Sequence, residues 1–156
     1  MTRELFVTTA MEYLGFPASN YNGPENGITT EGFDCSGWIS FLLKKLDFPE
    51  TPPRHCNTLF DDFGILIHED KVERGDLVFF SNRNKGTVPD HVGIMISSSK
   101  FIHSPGKNGE RIKISKLVHQ PIELDETMGL EQIYVQNPIG FKRLAVRKGR
   151  YKEIFP

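Results

Sequence analysis

Residues 33–46 read Phe33-Asp34-Cys35-Ser36-Gly37-Trp38-Ile39-Ser40-Phe41-Leu42-Leu43-Lys44-Lys45-Leu46. Trp38, Phe41, Leu42 and Lys45 recur at three- and four-residue spacing, which predicts a helix with one apolar stripe. Asp34 or Ser36 supplies a cap at its start, and Lys44 and Lys45 suit the negative end of the helix dipole. Cys35 therefore stands at or just before a helix N-terminus. Pro49, Pro52 and Pro53 close the segment.

On the N-terminal side, Leu5, Phe6, Thr9, Ala10, Tyr13 and Leu14 repeat at helical spacing. They predict a helix from about Arg3 to Leu14, ended by Gly15 and Pro17. Residues 17–32, rich in Gly, Pro and Asn, read as one long loop. On the C-terminal side a short helix is expected from Cys56 to Phe63, ended by Gly64. The pattern then changes to short apolar runs separated by turns: 77–80, 92–96, 100–103, 111–114 and 140–146. Helices followed by sequential strands predict an α+β fold, with N-terminal helices packed on an antiparallel sheet. The whole chain, 1–156, reads as a single domain with a core of about 3–146. The basic residues from Arg147 onward (147–156) are expected to form a solvated tail.

The bulk properties narrow the function. Apolar residues make up 38% of 156 and charged residues 25%, which is ordinary for a globular domain. A net charge of −1 gives no general grip on nucleic acid, so no nucleic-acid partner is expected. No apolar run approaches the roughly 18 residues of a membrane span. The N-terminus lacks the apolar core and small-residue cleavage site of a signal peptide. The protein is therefore expected either to work without Sec-type export or to begin after a removed segment. Two cysteines are too few for a disulfide scaffold.

Most lone cysteines are small buried hydrophobes. Cys35 differs in having polar neighbours and in its place at a helix N-terminus, where amides and the helix dipole favour a thiolate. A thiol nucleophile needs a base, and the base needs a group to orient it. His91 opens a strand and His103 ends the next. In an antiparallel hairpin those positions are neighbours, given the right register. Two loop histidines or a metal pair are the other readings of the same residues. No C-x-x-C or H-E-x-x-H spacing accompanies them, so no metal and no cofactor is expected.

Four segments together resemble the successive motifs of the NlpC-type (p-sixty) cell-wall cysteine peptidases: Phe33-Asp34-Cys35-Ser36-Gly37, Arg74-Gly75-Asp76-Leu77-Val78-Phe79-Phe80, Asp90-His91-Val92-Gly93-Ile94 and Phe101-Ile102-His103-Ser104. Their order and spacing agree with the family from about Leu5 to Leu144, and Gly140-Phe141-Lys142-Arg143 resembles its closing strand. The resemblance implies a papain-like fold and hydrolysis of peptide bonds in peptidoglycan or a muropeptide, at the bond after D-γ-glutamate and before a diamino acid. It implies Cys35 as nucleophile, His91 as general base and His103 as the orienting third residue. Tyr21 falls near the family tyrosine that helps the cysteine amide hold the oxyanion, although the family's Tyr-x-Gly-Gly pattern is broken here. A turn tyrosine packed on the helix is the other reading. Asp34 and Ser36 match positions lining the adjoining substrate subsite. Pro53-Arg54-His55-Cys56 resembles a Pro-Arg-x-Ser segment facing it, with Cys56 in place of the serine. That departure sets a second thiol near Cys35.

Two other functions remain open at this level. One is a thiol acyltransferase or deamidase on the same fold, which would be expected to present an apolar groove or an anchor. The other is a non-catalytic wall-binding module, which would be expected to lack a triad member. The segment 116–138, acidic through Glu123, Asp125, Glu126 and Glu131, reads as a solvated insertion or as a lid. Cytoplasmic residence, or export by a non-Sec or phage route, with an unidentified targeting or immunity partner, completes the expectations.

Overall fold

The computed structural model describes residues 1–81, 88–118 and 138–156. Helix α1 (Arg3–Met11) starts on a cap from Thr2, whose Oγ accepts the Leu5 N–H at 3.0 Å. It is shorter than its apolar spacing predicts. Tyr13 and Leu14 bond back only three residues, to Ala10 and Met11, so the last turn tightens and ends at Gly15 with φ +88°. Phe6, Val7 and Ala10 are fully buried.

The long segment that follows is not structureless. Strands β1 (Ile28–Thr29) and β2 (Gly32–Phe33) form a small hairpin that leads into α2 (Cys35–Lys45). Trp38, Ile39, Leu42 and Leu43 of α2 are fully buried, so the helix hides much more than the one stripe expected and runs through the core. Lys44 and Lys45 occupy its last turn. Helix α3 (Cys56–Asp62) precedes β3 (Ile65–Ile67), a strand too short for its alternation to stand out in the sequence.

A single 3-10 turn (Glu69–Lys71) leads to the central strands. These are β4 (Leu77–Phe80), β5 (His91–Met95), β6 (Lys100–His103), β7 (Lys113–Lys116) and β8 (Pro138–Arg143). With β3 they form, among the described residues, a six-stranded sheet in the order β3-β8-β4-β5-β6-β7. Every pairing in it is antiparallel. Both faces are covered. Leu77, Phe79, Val92, Ile94 and Ile102 join the helices in the main core. Val78, Phe80, Met95, Phe101 and Phe141 form a second cluster. Double-sided burial explains why the β4 run is apolar throughout rather than alternating.

The predicted strand 140–146 is two strands, β8 and β9 (Ala145–Lys148), and the run expected at 111–114 lies two residues later as β7. The C-terminus also departs from expectation. Residues 147–151 are exposed, as a solvated tail would be, but the segment is ordered: β9 and β10 (Tyr151–Ile154) form a hairpin, and Gly149 adopts φ +66° at its turn. Phe155 then returns to the core, with its ring centroid 5.3 Å from that of Phe48. The Arg3 N–H donates to the Pro156 carbonyl at 2.6 Å, so the two termini meet. The basic residues of 147–152 are compatible with this because a hairpin leaves one face to solvent. Of the 116–138 segment, Glu123, Asp125, Glu126 and Glu131 lie outside the described residues.

Candidate active site

Asp34 fixes the start of α2. Its Oδ1 accepts the Gly37 N–H at 2.7 Å, so Asp34, and not Ser36, is the cap. Arg54 closes on the same carboxylate with two prongs, Nη1 to Oδ1 at 3.1 Å and Nη2 to Oδ2 at 2.6 Å. Nη1 also reaches the Ser36 hydroxyl at 3.1 Å, and the remaining Arg54 N–H groups bond the carbonyls of Pro24 and Asn26. Burial pushes the Asp34 carboxyl upward, while Arg54 and the Gly37 amide pull the other way. The cluster is tight enough to require glycine. A Cβ on Gly37 would strike the carbonyl oxygen of Gly27, and one on Gly27, at φ +72°, would strike the Asp34 carboxylate.

Cys35 is the first residue of α2, and its thiol is 3.8 Å from the Asp90 carbonyl. It lines a cavity of about 430 Å³ together with Tyr21, Asp34, Ser36, Cys56, His91 and the 105–106 turn. Gly106, at φ +71°, faces the Cys35 amide; a Cβ there would stand 4.0 Å from that nitrogen. The Cys56 thiol is hydrogen-bonded to Cys35, and the two are free cysteines. That bond, together with the hydrogen bond and charge of His91 and the Val92 N–H, holds the Cys35 thiol well below its ordinary range, against burial. Burial pushes the Cys56 thiol well above its range, and the neighbouring Cys35 and Asp90 add to this. The two thiols are thus pushed in opposite directions, Cys35 toward the thiolate and Cys56 toward the neutral thiol.

His91 and His103 are each 1% exposed, and Nε2 of His91 lies 2.8 Å from Nδ1 of His103. Strands β5 and β6 pair Ile94 with Ile102 and Met95 with Phe101. Continuing that register sets Gly93 opposite His103 and leaves His91 one diagonal step away on the same face. Gly93 permits the approach. A Cβ there would come within 2.8 Å of the Phe101 ring and 3.1 Å of the His103 Cβ. With Nε2 engaged by His103, Nδ1 is the ring nitrogen that His91 has left for Cys35. Burial, with the positive neighbours His91 and Lys113, holds His103 well below the usual histidine range, so it stays neutral.

All eight residues singled out in the sequence belong to this one region. Cys35, His91 and His103 form a connected chain, and Asp34, Ser36 and Arg54 form the adjoining cluster. Cys56 sits against Cys35. Tyr21 is 53% exposed on the cavity wall, edge-on to His55 at 5.6 Å and beneath the Arg54 guanidinium at 5.5 Å. Sequence reasoning missed His55, Asn57, Val88, Pro89, Asp90, Pro105 and Gly106 as cavity wall. It also missed Ser115, whose Oγ is 2.8 Å from Nε2 of His103. Among the described residues, no group of three or more His, Cys, Asp or Glu is arranged to hold a metal ion.

A cysteine at the start of a buried helix, facing histidines on an antiparallel sheet, defines a papain-like α+β fold. The NlpC/P60 family profile matches residues 24–129, and the chain belongs to that family. It is 38% identical over 87 residues to the murein DD-endopeptidase MepH of Escherichia coli, covering 55% of this chain and 31% of that protein. It is 32% identical over 117 residues to a gamma-D-glutamyl-L-lysine dipeptidyl-peptidase of Bacillus subtilis, covering 74% of this chain and 36% of the relative. The chain thus spans about a third of the length of these relatives. Among solved structures, an NlpC/P60 family protein from Bacillus cereus superposes with a TM-score of 0.69 at 23% identity, over 92% of this chain and 40% of that one. The NlpC/p60 domain of the peptidoglycan hydrolase SagA superposes with a TM-score of 0.65 at 20% identity, over 92% of this chain and all of that one.

Proposed function

We propose that this chain is a cysteine peptidase that cleaves stem peptides of peptidoglycan at the bond between D-γ-glutamate and the following diamino acid. The observation that carries the reading is the hydrogen-bonded chain from Cys35 through His91 to His103 in a cavity bordered by the Asp34–Arg54 pair. The name of the Bacillus subtilis relative supports the choice of bond.

In this mechanism the Cys35 thiolate attacks the amide carbonyl carbon, paired with protonated His91. The oxyanion is held by the Cys35 backbone N–H at the head of α2 and by the Tyr21 hydroxyl; one such donor is worth roughly 3–4 kcal/mol. His91 gives its proton to the leaving amine, which departs and leaves an acyl thioester on Cys35. It then takes a proton from water as the water attacks, releasing the carboxylic acid and the thiolate. Neutral His103 accepts from His91 Nε2 and keeps Nδ1 directed at sulfur. Asp34, Ser36 and Arg54 present a charged, hydrogen-bonding wall to the acyl side of the peptide.

Digestion of purified peptidoglycan and soluble muropeptides, followed by mass spectrometry, tests this. The expected product carries a new free amine on the diamino acid and a new carboxyl on D-glutamate, in EDTA as in plain buffer. The Cys35→Ala variant is expected to fold and to form none. Products cut only at a D-alanyl cross-link would overturn the bond assignment, and full activity of Cys35→Ala would overturn the mechanism.

A further inference from the structure

The hydrogen-bonded chain does not end at His103. The diagonal step from β5 to β6 that joins His91 to His103 is repeated from β6 to β7. There His103 pairs with Lys113 and Phe101 with Ser115, which sets Ser115 one diagonal step beyond His103 on the same face. Each step spans twelve residues of sequence, 91 to 103 and 103 to 115, and each closes at 2.8 Å.

The direction of the bonds follows from the chemistry. When His91 pairs with the Cys35 thiolate it carries hydrogen on both nitrogens, so its Nε2–H donates to Nδ1 of His103. A neutral His103 that accepts at Nδ1 must carry its hydrogen on Nε2. That hydrogen points at the Ser115 hydroxyl oxygen, which accepts it. Were His103 to hold its hydrogen on Nδ1 instead, it would donate to His91 Nε2. Neutral His91 would then carry its hydrogen on Nδ1 and be unable to take the thiol proton from Cys35.

We propose that Ser115 is a positioning residue for the reaction: its oxygen fixes the Nε2–H tautomer of His103 and thereby the basic nitrogen of His91. This rests on the reading of Cys35, His91 and His103 as the reacting chain. Ser115 touches neither the nucleophile nor the cavity wall. Its effect is exerted through His103, across β7. Because β7 is the outermost strand among the described residues and Ser115 is half-buried, side chains of similar size are tolerated there.

The test compares Ser115→Thr with Ser115→Val, which share shape and strand preference and differ in the hydroxyl. The primary readout needs no substrate: the rate of Cys35 alkylation by iodoacetamide against pH, with Cys35→Ala as background. The wild type is expected to show a midpoint well below that of an ordinary thiol, about 8.5. Ser115→Thr should keep that midpoint. Ser115→Val should raise it and lower kcat on muropeptides roughly tenfold with KM little changed, the size expected for loss of one part-buried hydrogen bond. An unchanged midpoint in folded Ser115→Val, or an equal shift in both variants, overturns the proposal for Ser115 and leaves the reading of Cys35 standing. A wild-type midpoint near 8.5 overturns that reading, and the proposal with it. A thermal melt of each variant separates loss of fold from loss of positioning, since a purely structural serine would move the melt and not the midpoint.

Discussion

Arg54 grips both oxygens of Asp34, the residue immediately before Cys35, from within the segment that links α2 to α3. The pair is largely withdrawn from water, with the Asp34 side chain 2% exposed and that of Arg54 16%. One carboxylate thus caps the helix that bears Cys35, anchors the strand-free segment before α3 and forms the cavity wall.

Removing that carboxylate should therefore be costly. Asp34→Ala strips the cap and leaves a mostly buried guanidinium without its partner, a class of change that costs about 3–5 kcal/mol. Partial exposure of Arg54 sets the expectation at the low end, about 3 kcal/mol. In a domain of this size that lowers Tm by roughly 6–12 °C. Urea denaturation with an unchanged m-value would give the figure directly. A loss under about 1 kcal/mol would mean that solvent screens the pair far more than its burial indicates.

Cys56 stands where the resembling motif has serine, and its hydrogen bond is the largest influence holding the Cys35 thiol below its ordinary range. Cys56→Ala is therefore expected to raise the alkylation midpoint of Cys35, while Cys56→Ser, which keeps a donor, shifts it less. The adjacency also has a redox consequence. Hydrogen peroxide oxidises the Cys35 thiolate to the sulfenic acid, releasing hydroxide; the Cys56 thiol then condenses with that sulfur, forming the disulfide and releasing water. Activity lost in this way should return with dithiothreitol in the wild type. In Cys56→Ser, which lacks the resolving thiol, oxidation should run on to sulfinic acid and stay irreversible. The diagnostic species is a Cys35–Cys56 cross-linked peptide two hydrogens lighter than its parts. Its absence from peroxide-treated wild type would contradict the proximity of the two sulfurs.

Part of this site was visible in the sequence because its determinants are local. The cap, the helix and Cys35 are contiguous, and His91 and His103 lie at the ends of adjacent strands. Simple alternation and hairpin geometry bring them together. The family resemblance supplied the roles and pointed to Arg54. What escaped depends on contacts between distant segments. The ion pair between Asp34 and Arg54 needs the approach of Gly27 to Gly37, which no periodicity reports. Strand β3 has only three residues, and β8 enters the sheet between β3 and β4, out of sequence order. The C-terminal hairpin was hidden by its basic composition, because charge reports solvent exposure and says nothing of the hairpin's backbone pairing. Ser115 did leave a trace, the repeated spacing of twelve. It becomes meaningful only once β7 is known to start at Lys113, two residues later than the apolar run suggests.

The neutral state of His103 ties stability to pH. Burial, His91 and Lys113 hold its folded-state value well below the 6.5 of an ordinary histidine. The unfolded chain therefore takes up a proton near pH 6.5 that the folded chain refuses. As pH falls below that point the unfolded state binds the extra proton, and stability drops by up to about 1.4 kcal/mol per pH unit until the folded value is reached. Above about pH 7 the group contributes no slope. His103→Asn keeps a side chain able to accept from His91 but removes the titration. Its stability should thus fall less than that of the wild type between pH 6.5 and pH 5, and the gap between the two proteins should narrow as acid is added. Urea melts at pH 7, 6 and 5 measure both curves, with other titrating groups common to the two. Parallel curves would mean that His103 takes up its proton equally in the folded and unfolded chains, and the acceptor role given to its Nδ1 would fail.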